Sequence, residues 1–325
     1  AQTTTPLWRA ARVMVAAAAL SLLLACAAVG GGGGGGFVDT NKQRNWVVSL
    51  GDASSDAGLA GTPGAREAAA AAAASGRPLV SIVATTYNVG GFVGDALWSA
   101  LRQTYTNIEL IVVDDHSDDD TVEVIRGIQR QHAPWIRLVV MPFRTVGGAG
   151  SATNAGLDCA AGDYVLLFDG DDVMLPHAVE TLVQVAEASV EPPDYVMAQY
   201  REFSRPDQSD AKLGYEHAPG RYWAPNGTLA EGSKQTPDGV VFHPLSEPVF
   251  HQTASVPWRL LLRREFLNSN GIRMREVDGS FEDNSFRVSL DVHATRVAVV
   301  RQPLFLHRTG RKGQTTALQS MQYQV

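Results

Sequence analysis

The sequence predicts an α/β protein, a mostly parallel sheet with helices on both faces, preceded by an N-terminal apolar segment and a low-complexity stem. Three observations predict it. After Pro78, short β-rich apolar runs alternate with helical stretches, the pattern of a sheet wound through crossover helices. Two of those runs end in clustered acids, Asp114-Asp115 and Asp169-Gly170-Asp171-Asp172, and open α/β sheets bind ligands at the carboxyl ends of their strands. A hydrophobic fraction of 45% with 19% charged residues supplies a substantial core and excludes a disordered chain.

Residues 1–36 read as an apolar anchor or signal closed by a glycine run. Arg9 and Arg12 precede an uncharged, predominantly apolar stretch from Val13 to Val29, followed by Gly30 to Gly36. That stretch spans roughly 25 Å as a helix, the short end of what crosses a bilayer. An uncleaved anchor with Arg9 and Arg12 on the cytoplasmic side is the expectation. A cleaved signal peptide, a lipoprotein-like box at Leu23-Leu24-Ala25-Cys26 and a transit peptide are its competitors. Residues 37–78, rich in Gly, Ala and Ser, form a stem or linker.

From Leu79 the pattern changes. Strands are predicted at Leu79–Thr85, Ile108–Asp114, Ile136–Met141 and Asp163–Phe168, where β-branched and aromatic residues crowd short apolar runs. Helices are predicted between them at Phe92–Gln103, Asp119–Gln131 and Ser151–Ala160. Pro176 opens another helix through Ala188, since its missing N–H is spare in a first turn. A fifth strand follows at Asp194–Gln199. Tyr200 to Glu247 is polar, aromatic and irregular, and reads as a substrate-facing insertion carrying a glycosylation sequon, Asn226-Gly227-Thr228. A helix (Arg259–Asn268), an acidic helix start at Glu282-Asp283 and a terminal β segment (Thr295–His307) complete the pattern.

Charge is uneven. Residues 257–325 carry 11 Lys and Arg against 6 Asp and Glu, whereas the part before them carries 16 against 28. An acidic part joined to a basic tail suits a polyanion held through a cation, with chance drift of surface charge as the alternative. No Lys/Arg run or basic amphipathic helix is present, so nucleic acid is not an expected partner. Cys26 and Cys159 are the only cysteines, too few for a disulfide framework or a zinc site.

The acids carry the chemistry. Three carboxylates after one apolar strand repel one another unless a divalent cation held by oxygen ligands sits among them. Capping of the next helix is the competing account of Asp114, Asp115 and Asp118, since acids suit helix N-termini. It explains Asp171 less well.

These residues lie in motifs that resemble the family 2 glycosyltransferases of the GT-A (nucleotide-diphospho-sugar transferase) fold. The opening strand Val80-Ser81-Ile82-Val83-Ala84-Thr85-Thr86-Tyr87-Asn88 carries the first part of the likeness. Ser99 to Tyr105, Glu109 to Ser117, Asn154-Ala155-Gly156-Leu157 and Asp169 to Asp172 follow in the family's order. Trp258, Arg263 to Leu267, Phe281-Glu282-Asp283 and Pro303 to Arg308 resemble the acceptor half of bacterial-type members. The resemblance makes residues 79–199 the nucleotide-sugar-binding half and residues 200–325 the insertion and acceptor-binding half.

The resemblance implies roles position by position. Thr85 and Asp115 contact the uridine, with Tyr87 nearby. Asp169 lies near ribose and metal, and Asp171 ligates Mn²⁺ or Mg²⁺ bridging the diphosphate. Asp283, next to Glu282, is the general base. Trp258 belongs to the acceptor side, and His307 and Arg308 touch the diphosphate, unless Arg308 caps the sheet. The implied activity is inverting transfer from a nucleotide-sugar, UDP-linked by expectation, to a glycan, lipid or protein hydroxyl. An alcohol needs a base as it attacks, and a leaving diphosphate needs its charge offset. Two departures stand out: Thr153 replaces a common Arg before Asn154, and Arg259-Leu260 follows Trp258 where relatives carry a small residue and Lys.

Two rivals stand beside this reading. Asp169-Gly170-Asp171-Asp172-Val173 also fits the motif of haloacid-dehalogenase-like phosphatases, with Asp169 as a covalent nucleophile, but that motif belongs on a first strand. A catalytically inactive GT-A binding module is the other. An anchor oriented by Arg9 and Arg12 would put the catalytic part in a secretory or Golgi lumen, the expected location; the alternative is a cytoplasmic or organellar protein after N-terminal processing.

Overall fold

The computed structural model describes residues 76–311, apart from 133–134, 189–191, 206, 210–211, 214–233, 236–240, 244–255 and 277–281. The apolar run 13–29, the glycine run, the stem to residue 75 and the sequon at Asn226 lie outside the described residues. The expected membrane anchor, and the secretory or Golgi placement built on it, is corrected here. Among the described residues no helix is long and apolar enough to cross a membrane, and the segment on which the expectation rested is not among them.

The first half winds as the alternation predicts. Strands β1 (Val80–Thr86), β2 (Ile108–Asp114), β3 (Ile136–Val140) and β4 (Tyr164–Asp169) pair in the order β3-β2-β1-β4, all parallel. Helices α1 (Gly90–Leu101), α2 (Thr121–His132) and α3 (Gly148–Cys159) cross between them. These strands are apolar along most of their length because both faces are covered.

Beyond β4 the sheet becomes mixed. A two-residue strand, β5 (Val173–Met174), and helix α4 (Ala178–Glu187) lead to β6 (Tyr195–Phe203). Short strands β7 (Lys212–Leu213), β8 (Lys234–Gln235) and β9 (Val241–His243) follow in the insertion. Next come β10 (Leu260–Arg263), helices α5 (Arg264–Ser269) and α6 (Glu282–His293), and β11 (Val297–Arg308). The order continues β4-β10-β6-β11-β9-β8, with β10 antiparallel to both neighbours and β6 parallel to β11. The helix expected from Arg259 therefore starts five residues later. Leu260-Leu261-Leu262 instead fills the gap between β4 and β6, where fully buried apolar side chains and ladder bonds are both needed.

Two apolar layers flank the sheet. Val93, Leu97, Ile125 and Leu182 from α1, α2 and α4 pack on one face. Ala152, Ala155, Phe266, Phe286 and Leu290 from α3, α5 and α6 pack on the other. A buried Val, Leu or Phe contributes about 1.5–3 kcal/mol, so neither face could be left open. Helix α6 is pinned as well as packed: Tyr195 Oη donates to Asp291 Oδ1 at 2.6 Å, and Arg287 Nε donates to both oxygens of Asp291 at 3.0 Å.

Asn154 ties the two halves together. Fully buried on α3, it donates to the Met274 carbonyl at 2.9 Å and to Glu276 Oε1 at 2.7 Å, and accepts from the Met274 N–H at 2.9 Å. Asn154→Ala orphans the main-chain groups of Met274 and is expected to cost about 2–4 kcal/mol. Urea denaturation should show this as a lower midpoint with an unchanged slope.

Candidate functional site

The carboxyl ends of β1, β2 and β4 meet at one edge. Thr85 and Asp169 are register partners, as are Thr86 and Asp114. Side chains alternate across a sheet, so these pairs face opposite ways. Thr86 Oγ1 donates to Asp114 Oδ2 at 2.9 Å, and Ser117 donates to Asp114 from its N–H at 2.8 Å and its hydroxyl at 2.6 Å. Asp114 is thus a fully buried loop staple. Thr85 and Asp169 turn to the layer that holds α3 and α6.

Asp115 extends the ladder by donating its N–H to the Thr86 carbonyl at 2.9 Å. Its Oδ1 accepts twice from Thr145, from the N–H at 3.0 Å and from the hydroxyl at 2.9 Å. Burial raises the Asp115 pKa, against the two Thr145 bonds and the Arg144 charge. Beside it, Arg144 Nη1 donates to Tyr87 Oη at 2.9 Å, with its guanidinium 4.2 Å above the Tyr87 ring. Left-handed backbone at Asn88 and His116 (φ 49° and 62°) turns the two loops away from their strands. Those loops are cross-tied, because Asn88 N–H donates to Ser117 Oγ at 3.0 Å and Asp118 N–H donates to Asn88 Oδ1 at 3.0 Å.

The acids after β4 separate in role. Gly170 N–H donates to the Thr85 carbonyl at 2.9 Å, and a Cβ on Gly170 would lie 2.4 Å from Thr86 Cγ2. Only glycine lets the turn sit this close. Asp172 points toward β11, where it accepts from Arg308 N–H at 2.8 Å and pairs with His307 Nδ1 at 3.0 Å. Asp171 is paired with Arg311, and its carbonyl accepts from Arg308 Nε at 2.9 Å. Asp169 is left with the heaviest burden. Burial, then Asp172, Asp171 and Asp283, push its pKa well above the usual carboxylate value, with His307 opposing.

Asp283 stands in the first turn of α6, and its charge acts on Asp169. Burial, then Glu282, raises the Asp283 pKa to about 7. His307 lies flat on Trp258, with ring centroids 4.8 Å apart and planes 11° apart. Burial lowers its pKa, but Asp172, then Asp169 and Asp171, win and raise it to about 9, so it is a cation at neutral pH. Arg308 is buried between Phe92 and Phe203 and reaches Asp95 Oδ2 at 3.3 Å.

Thr85, Tyr87, Asp115, Asp169, Asp171, Trp258, Asp283, His307 and Arg308 thus gather around the carboxyl edge and the start of α6. Sequence reasoning passed over Asp172, Thr145, Arg144 and Arg311. Asp172 stands inside the acidic motif, so its adjacency was a signal. Arg144 and Thr145 fall between a parallel strand and its crossover helix, which places them at the same edge. Nothing in the sequence pointed to Arg311. Among the described residues no three His, Cys, Asp or Glu side chains form a metal cage. A hollow of about 780 Å³ lies at the opposite edge, lined by Arg77, Asp163, Tyr164, Arg263 and Arg264. Its arginines are engaged with Glu180, Asp194 and the Gly162 carbonyl, so it offers no comparable reacting groups.

Comparison with known proteins agrees with this geometry. Residues 81–242 match the family model described as Glycosyl transferase family 2. The chain is 28% identical over 235 residues to Glycosyltransferase GlyG of Streptococcus pneumoniae serotype 4, covering 71% of this chain and 70% of GlyG. It is also 28% identical over 237 residues to the uncharacterized glycosyltransferase EpsJ of Bacillus subtilis, covering 71% and 61%. Among solved structures, S. aureus TarS 1-349 in complex with UDP-GlcNAc superposes with a TM-score of 0.57 at 19% identity, over 74% of this chain and 60% of TarS. The chain therefore spans less than two thirds of EpsJ and of that TarS structure.

Proposed function

Because the chain belongs to the family 2 glycosyltransferases and has their GT-A fold, we propose that it transfers a sugar from a UDP-linked donor to an acceptor hydroxyl with inversion. One observation supports this above the others. Asp283, whose pKa burial and Glu282 raise to about 7, acts from the start of α6 on Asp169, the acid that ends β4.

In this reading Asp115, Thr85 and Tyr87 receive the nucleoside, and residues 79–199 form the donor half. Residues 200–325, with Trp258, form the acceptor half. The acceptor oxygen attacks the anomeric carbon as Asp283 takes its proton. The bond to the diphosphate breaks with its electron pair on the leaving oxygen. A single displacement from the face opposite the leaving group inverts the carbon, and one base suffices. His307, kept positive by Asp172, and Arg311 bring positive charge to the edge where the diphosphate departs.

The donor set fits a divalent cation. Asp169 and Asp171 are hard oxygen ligands under mutual repulsion, and Mg²⁺ or Mn²⁺ is commonly held by one or two carboxylates together with substrate phosphates. Such an ion would offset charge developing on the leaving diphosphate.

TarS, whose fold is shared, was solved with UDP-GlcNAc; that describes TarS, and the donor here is proposed from Asp115 and its surroundings. The test is a panel of UDP- and GDP-sugars incubated with purified protein and Mn²⁺, with released nucleotide measured. Turnover of a UDP-sugar, lost on chelation, is expected. Release from none of them, or trapping of Asp169 by beryllofluoride, would overturn the reading. The phosphatase alternative gains nothing here, since the acidic motif ends the fourth strand and not the first.

A further inference from the structure

The Asp115 carboxylate is half occupied by its own protein. An sp² carboxylate oxygen accepts about two hydrogen bonds, and Oδ1 receives two from Thr145, at 3.0 and 2.9 Å. The Thr145 hydroxyl has one proton and two possible acceptors. Gly148 carbonyl lies 3.4 Å away and Asp115 Oδ1 lies 2.9 Å away. The shorter, charge-assisted bond takes the proton. Among the described residues no donor reaches Oδ2, so Asp115, itself 3% exposed, offers one open acceptor oxygen. The neighbouring Arg144 holds Tyr87 through its hydroxyl and ring face, so consecutive residues of one loop grip two of the three side chains proposed to meet the nucleoside.

We infer that Thr145 is a positioning residue that sets the nucleobase choice, by leaving Asp115 one acceptor oxygen for one base N–H. Uracil presents a single imide N–H between two carbonyls and matches that oxygen. Guanine presents N1–H and an exocyclic amine side by side, a pair that asks for both carboxylate oxygens. Oδ1 could serve it only by giving up a bond to Thr145. Cytosine has no N–H at its ring N3 and would set an acceptor against the carboxylate. This inference rests on the nucleotide-sugar reading and refines it: it names the residue behind the preference for uridine.

The test is calorimetric titration of UDP and GDP, with Mn²⁺ present, into the wild-type chain and into Thr145→Val and Thr145→Ser. The wild type should bind UDP at least about tenfold tighter than GDP, the size of one mismatched hydrogen bond. Thr145→Val keeps the shape and the main-chain bond but frees one site on Oδ1, so the UDP:GDP ratio should narrow several-fold. Thr145→Ser restores the hydroxyl and should restore the ratio. A role confined to holding the loop would weaken both nucleotides alike and leave the ratio unmoved, which would overturn the inference while the transferase reading stood. A wild type preferring GDP would do the same. Failure of the wild type to bind either nucleotide would remove both the inference and the reading beneath it.

Discussion

Asp283→Asn is expected to lower sugar transfer by about 10²–10⁴-fold, the usual worth of a positioned general base, while UDP affinity changes little. The exchange keeps size and one acceptor oxygen but removes the group that takes a proton. Its pH signature is specific. A carboxylate acts as a base only when ionised, and burial, reinforced by Glu282, raises the Asp283 pKa to about 7. Wild-type kcat/KM should therefore fall as pH drops through about 7. The residual activity of Asp283→Asn should lack that limb. Paired measurements of kcat/KM against pH and of UDP binding separate the roles. Equal loss of transfer and UDP binding would make Asp283 a structural residue.

The parallel half was legible because its physics is local. Runs such as Ile108–Asp114 are apolar on both faces, and the alternation with helices dictates which strand ends share an edge. Asp115 and Asp169 could be brought together from sequence for that reason. Local signals do not reach further. Leu260 to Arg263 looks like the start of a helix, but pairing with Val165 and Leu166 on one side and with Val196 on the other makes it a strand. Those partners are some sixty to a hundred residues away, beyond any periodicity.

The acids show the same limit. A sequence gives Asp114 and Asp115 as neighbours with similar chances, yet their side chains face opposite ways because strand side chains alternate. One meets Thr86 and Ser117, the other Thr145. Asp172 is comparable. Within Asp169-Gly170-Asp171-Asp172 nothing local says which carboxylate leaves the cluster. The answer lies in β11, where His307 and the Arg308 N–H wait for it. The buried anion Asp172 then keeps His307 charged against the pull of burial, a property that belongs to the pair and to neither residue alone.

Asp171→Asn should separate stability from activity, and this is the second large effect. Loss of one ligand for the cation proposed to offset the leaving charge is expected to reduce transfer by about 10²–10³-fold. Stability should move the other way or stay still. Asp169 is buried beside Asp172, Asp171 and Asp283, and its raised pKa means that the folded state disfavours its charged form. For an acid shifted upward, ionisation weakens the fold as pH rises through the range between the unfolded and folded pKa values. Removing the Asp171 charge relieves part of that repulsion, and Asn keeps an oxygen for Arg311. The Tm at neutral pH should be equal to or above that of the wild type, the pattern of a site that trades stability for function. Mn²⁺ with UDP should raise the wild-type Tm, because a ligand that binds only the folded state stabilises it, and should raise that of Asp171→Asn much less. Full turnover by the variant after chelation, or an equal Mn²⁺ response in both proteins, would mean that the repulsion at the end of β4 is balanced by His307 and Arg311 and not by a metal.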